Sequence, residues 1–245
     1  MEDVQNKNCG AKNNHVRLSF RILWFLAALV ATVCTFTDHL KALGGDGRPV
    51  ALFFTSWSVW ISCAAAALSL AFEIFKKAKE VQNPQASDQG VLHSLLNFCA
   101  AIMMIATFIV AAFVLPDKIW TGAYWEFESA AKHFVLPLLT ISDEILFPGR
   151  YKKTFPLWGA ALPIAYWFVI IVRNLSARSS FGGSIPQSFW DNYYPYGFTN
   201  FDNGRSLKGL CLMLLGIGVG LVAFGFLFLL LEKLKSGKKS ATAAA

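Results

Sequence analysis

Between Leu210 and Leu231 the chain reads LCLMLLGIGVGLVAFGFLFLLL, without one charged or amide side chain. A hydrocarbon core about 30 Å thick is crossed by a helix of roughly 20 apolar residues, so a run of this kind is built to be solvated by lipid. Six such runs can be traced, near residues 18–36, 51–75, 92–115, 130–147, 157–172 and 207–231. Five are plainly apolar. The fourth has the same apolar weight but carries His133, Asp143 and Glu144. Composition agrees with a membrane protein: 55% of the 245 residues are hydrophobic, 15% are charged, and the mean hydropathy is +0.47.

Lipid offers the backbone no hydrogen bonds, so each run has to be a helix; none shows the alternating ten-residue pattern of a membrane barrel. The expected fold is all-α, a polytopic bundle of six transmembrane helices over residues 18–232. Residues 1–17 and 233–245 are polar or small and are expected to be disordered. The first run follows a basic stretch, as a signal sequence does, but its apolar core is long and no small-x-small cleavage site stands out before Asp38. It is read as a retained span.

With six spans, both termini and the loops after spans two and four share one side. That side holds 14 of the 22 basic residues. Positive charge accumulates in the cytoplasm, so both termini are expected there. The net charge of +7 then reflects topology and attraction to anionic membrane lipids. Nucleic-acid binding is not expected, because no basic folded surface is available for it.

This topology sets the depth of each polar group. Thr55 lies about one turn into span two from the outer side. His133 enters span four at a similar depth on that side. At about 100° per residue, His133, Pro137, Thr140 and Glu144 share the face of span four expected to look into the bundle, with Asp143 turned away. On span two, Thr55, Ser58, Ser62 and Ser69 form a stripe beside the run of alanines 64–67. Small and hydroxylated residues let membrane helices approach closely, which accounts for most of that stripe. Gly216, Gly218, Gly220 and Gly225 on span six are read as a packing face too.

His133 has two readings. Ionisable residues inside a membrane usually face a functional interior, yet one near the interface can simply bond a neighbour. As chemistry, histidine is suited to take a proton near neutral pH, and a threonine hydroxyl becomes a useful nucleophile when such a base stands beside it. Thr55 and His133 can form that pair if spans two and four are neighbours. The loop SFWDNYYPYGFTNFDNG, residues 188–204, lies on the same side and reads either as an interfacial aromatic belt or as a lid over a lipid cavity. Asn174, Leu175 and Ser176 make a glycosylation sequon too close to span five for modification to be expected.

The motifs FFTSWSVW, KHFVLP, PIAYWFVIIVRN and YYPYGFTNFD together resemble the six-span membrane family of the androgen-induced gene product and its androgen-dependent TFPI-regulating relative, including bacterial-type members. The likeness covers spans two to six through short motifs. It implies an integral membrane hydrolase of fatty acid esters of hydroxy fatty acids, with Thr55 matching the family's threonine and His133 its histidine. The pair Asp143 and Glu144 departs from the single acidic residues of relatives. The resemblance implies that Thr55 attacks the ester carbonyl, that His133 relays the proton, and that neither metal nor cofactor is needed. The partners it implies are membrane lipids and a lipid ester substrate.

Substrate-pocket candidates are Trp57, Ser58, Thr140, Tyr166, Asn192 and Tyr196. Trp57 and Trp60 either line an acyl pocket or anchor span two at the interface. The sequence names no oxyanion donor; by location alone Tyr166 is a candidate, with Asn192 and Tyr196 behind it. No HExxH or CxxC spacing occurs, and the five cysteines are scattered. The rival function is a small-solute carrier or channel, for which Glu144 matters as much as His133. A structural or regulatory membrane protein is the third reading.

Overall fold

A computed structural model of the protein describes residues 2–43, 53–80, 90–114, 126–149, 151–186, 196, 199–200 and 206–243. Among these, six helices are found. They are α1 (Glu2–Leu43), α2 (Phe54–Glu80), α3 (Val91–Ile109, continued by a π segment, Val110–Val114), α4 (127–146), α5 (Phe155–Ser180) and α6 (Leu207–Ala243). The all-α expectation is met. Helices α1, α2, α3, α5 and α6 are long and apolar enough to cross a membrane, which makes this a multi-pass membrane protein. Helix α4 does not qualify on apolarity, and it is interrupted. The outer helices overrun their apolar cores, reaching Glu2 at one end and Ala243 at the other, over stretches whose composition suggests disorder.

Helix α1 shows how lipid reverses the usual amphipathic rule. Arg21, Trp24, Ala28, Ala31 and Thr35 recur three and four residues apart and are all buried. The large apolar side chains of Leu23, Leu26, Leu29 and Val33 point outward instead. Small and hydrogen-bonding groups thus make the helix contacts, and the bulky hydrocarbon meets lipid. Helix α3 is the hub, with every residue from Asn97 to Thr107 buried. On one side Ala100 and Met104 pack with Trp24, Ala28, Ala65, Ala66 and Leu136 of α1, α2 and α4. On the other, Phe98, Ile102 and Ile105 meet Phe54, Phe155, Tyr166, Trp167 and Phe228 of α2, α5 and α6.

The interruption of α4 has a cause in its sequence. Proline at position 137 cannot donate to the carbonyl of His133 four residues earlier, and its ring crowds that carbonyl. Residues Ala131–Val135 are wound as a π segment between the turn Phe127–Ala130 and the α segment Leu136–Leu146. An inserted π turn rotates the helix on its N-terminal side out of phase with the helix on its C-terminal side. His133 therefore does not stay aligned with Thr140 and Glu144, as an unbroken helix has it. Asp143 is not turned away from the interior either. Thr140, Asp143 and Glu144 are all buried, at 1%, 1% and 3% exposure, because α4 is packed against both α1 and α3.

The glycines of α6 also sort differently. Gly216 and Gly220, the GxxxG pair, have open space where a Cβ would stand, whereas one on Gly225 would meet Pro156 Cβ at 2.8 Å and its Cα at 2.9 Å. The close approach of α5 and α6 thus rests on Gly225. Gly225→Ala is expected to cost about 1–3 kcal/mol by overpacking, lowering the melting temperature in detergent, while Gly216→Ala and Gly220→Ala leave it unchanged. Equal behaviour of the three variants counts against this packing. Asn174, the sequon asparagine, is fully buried in α5.

Candidate active site

Thr55 is the second residue of α2, and His133 sits in the π segment of α4. The two helices meet so that Thr55 Oγ1 lies 3.3 Å from His133 Nε2. On the far side of the imidazole, Nδ1 is 2.9 Å from the carbonyl oxygen of Ser129 and 3.2 Å from its hydroxyl. A carbonyl oxygen only accepts, so Nδ1 carries the proton and Nε2 presents its lone pair to the threonine hydroxyl. Thr55 is then the donor and His133 the acceptor. Both side chains are half-buried, so the pair is neither sealed in the core nor out in the open.

Sequence reasoning missed Ser129. Its only signal is its spacing, four residues before His133 on the same helix. A carbonyl or carboxylate behind a histidine fixes its tautomer and ring orientation, the arrangement that makes an imidazole a directed base. Next to His133, Lys132 Nζ reaches Asp38 Oδ2 at 2.5 Å. This pair ties the end of α1 to the π segment.

An aromatic wall stands on the other side of the α2 terminus. Phe54, adjacent to Thr55, packs edge-on against Tyr166 at 5.1 Å between ring centres and stacks with Trp167 at 6.1 Å. Trp57 meets Tyr166 edge-on at 6.2 Å. The Phe54 amide donates to the Tyr196 hydroxyl at 3.0 Å. Tyr196 is held in turn by a tight bend in which the Thr199 amide and hydroxyl both donate to its carbonyl, at 2.9 and 2.7 Å. Tyr166, Tyr196 and Trp57 thus gather around the first turn of α2. Asn192 lies outside the described residues.

Ser58 and Thr140 are placed elsewhere. Ser58 is buried and its hydroxyl is within 3.0 Å of the Phe54 carbonyl and 3.4 Å of the Met103 carbonyl, between α2 and α3. Thr140 Oγ1 is 2.8 Å from Ser62 Oγ and accepts from Trp24 Nε1 at 2.9 Å. It sits seven residues beyond His133, about 10 Å along a helix. Ser69 bonds His93 and Asn97. The serine stripe below Thr55 is therefore interhelical glue, as the packing reading has it.

A second polar centre lies far from the first. Fully buried Arg21 donates to Glu73 Oε1 at 2.7 Å, to the Ser69 carbonyl at 3.3 Å and to Asp143 Oδ1 at 3.4 Å. Arg17 reaches the same Glu73 oxygen at 2.9 Å. Glu73 is eighteen residues along α2 from Thr55, roughly 27 Å at 1.5 Å per residue. Sequence shows Arg21 and Glu73 as charges near span ends, with nothing to say that they meet. Among the described residues, no group of three or more His, Cys, Asp and Glu is placed to hold a metal ion.

Fold and polar interior define the class: an all-helical, multi-pass membrane protein with a hydrogen-bonded threonine and histidine at one end of the bundle. No family model matches the chain, nor does any curated protein or any solved structure.

Proposed function

We propose that the chain is an intramembrane hydrolase of long-chain lipid esters, with Thr55 as nucleophile and His133 as general base. The observation that carries this reading is the directed contact from Thr55 Oγ1 to His133 Nε2, with the opposite ring nitrogen held at the Ser129 carbonyl. The motif resemblance supports the same pair and suggests fatty acid esters of hydroxy fatty acids as substrate. Bonding of the buried serines to neighbouring helices favours packing over a wet conduction path beneath the site.

In the reaction, Thr55 Oγ1 attacks the ester carbonyl as its proton passes to His133 Nε2. The ester C–O bond then breaks, and the departing hydroxy acid takes that proton. Water attacks the acyl-threonine, giving one proton to His133, which returns it to Thr55 Oγ1 as the fatty acid leaves. Tyr166, whose ring packs on Phe54, and Tyr196, whose hydroxyl meets the Phe54 amide, are assigned to the developing oxyanion. Purified protein in detergent is expected to hydrolyse a long-chain ester of a hydroxy fatty acid. A folded, monodisperse preparation that is inert towards such esters overturns the reading.

We further infer that α4 crosses the membrane as the fourth of six spans, leaving both termini cytoplasmic and the Thr55 end of the bundle outside. Its 20 residues, 127–146, rise about 30 Å, enough for the hydrocarbon core. Of the two acidic residues at its inner end, Asp143 is paired with Arg21 and Glu144 is buried, so neither is shown to lipid. Epitope tags on the two termini should thus both be reached from the cytoplasmic side in sealed vesicles; tags on opposite sides rule out six crossings.

A further inference from the structure

A cleft of about 490 Å³ runs between α5 and α6. Pro163, Trp167 and Ile171 form one wall; Cys211, Gly218 and Val222 form the other. Its lining is almost wholly apolar, so it offers nothing to a headgroup and suits hydrocarbon alone. From Cys211 to Val222 the wall rises about 16 Å, roughly half of a 30 Å hydrocarbon core and thus the depth of one leaflet.

The α5 wall of the cleft shares a residue with the aromatic wall beside Thr55. Trp167 is a wall residue, and it also stacks on Phe54 at 16° between ring planes and lies 5.6 Å from the ring of Tyr196. Phe54 directly precedes Thr55.

We propose that the α5–α6 cleft holds the long acyl chain of the ester that Thr55 attacks, with Trp167 marking where the chain turns from the cleft to the reacting carbonyl. This rests on the hydrolase reading. An apolar cleft whose wall residue Trp167 packs on Phe54, the neighbour of Thr55, suits a lipid ester with its tail in the cleft and its carbonyl towards α2. Tail length is then read by the cleft, and the hydroxy acid side stays free to leave.

The test is photolabelling of the full chain in detergent with a hydroxy fatty acid ester bearing a diazirine on its long acyl chain, followed by peptide mapping. Hydrolysis of long-chain and short-chain esters is measured on the same preparations. Two variants narrow the cleft: Gly218→Leu, where a Cβ stands at ordinary contact distance, 3.4 Å from Ile164, and Val219→Trp, whose native side chain is 63% exposed. Adducts are expected on residues 163–171 and 211–222 and should fall in both variants. The ratio of long-chain to short-chain turnover should fall by about tenfold, the effect of losing roughly two buried methylenes. Adducts spread evenly over the outward faces of the bundle, or a ratio that neither variant moves, overturn the cleft assignment while leaving a working hydrolase. A folded wild type that cleaves neither ester overturns the hydrolase reading, and the assigned role of the cleft falls with it.

Discussion

On the proposed mechanism, Thr55→Ala is expected to abolish ester hydrolysis and His133→Ala to lower kcat by about 10²- to 10⁴-fold, the usual contribution of a positioned general base. The asymmetry follows from the roles. Without Oγ1 there is no atom to carry the acyl group, whereas without the imidazole the hydroxyl remains but has no acceptor for its proton at 3.3 Å. Thr55→Ser keeps the nucleophilic oxygen and retains part of the activity. Steady-state turnover of a long-chain hydroxy fatty acid ester measures all three, with melting temperatures showing that the variants are folded. Activity that survives Thr55→Ala at the wild-type level removes the threonine from the mechanism.

Arg21→Met is expected to destabilise the protein without touching the Thr55 end. Removing one member of a buried ion pair leaves its partner charged and unpaired, a loss of about 3–5 kcal/mol. Here the orphan is Asp143, at 1% exposure, since Glu73 keeps its contact with Arg17. The variant is expected to melt well below wild type in detergent, and adding Asp143→Asn should recover part of the difference by neutralising the orphan. Arg21→Met with wild-type melting contradicts the assignment of this network as the brace joining α1, α2 and α4. The transport reading expects more of this region than bracing. Conservative replacement of Glu144 by Gln separates the two, since the hydrolase tolerates it and a conduction path does not.

Long-range uniformity was easy to read from the sequence, and local irregularity was not. Apolar runs located the helices because lipid penalises every alternative backbone, and the all-α reading needed nothing more. The meeting of Thr55 with His133 could be read only conditionally, from similar depth, because nothing in the sequence says that the second and fourth spans are neighbours. Phase hid the rest. Proline at 137 was visible, but how the helix absorbs it, as the π segment Ala131–Val135, was not, and with it went the alignment of His133 with Thr140 and Glu144. Ser129 escaped because it stands just before residue 130, where the apolar run of the fourth span begins. Arg21 and Glu73 escaped because charges near span ends read as topology until tertiary contact shows them buried together. The GxxxG of α6 drew attention by its pattern, although the neighbour that needs a glycine, Pro156, stands opposite Gly225.

The most direct test of the central claim is covalent labelling of the solubilised wild type with a fluorophosphonate, which reacts with activated hydroxyl nucleophiles, and mapping of the modified residue by mass spectrometry. The expected result is a single adduct on Thr55 that disappears in Thr55→Ala and in His133→Ala. Well-folded wild type that hydrolyses the ester yet carries its adduct elsewhere, or that neither labels nor hydrolyses, contradicts it.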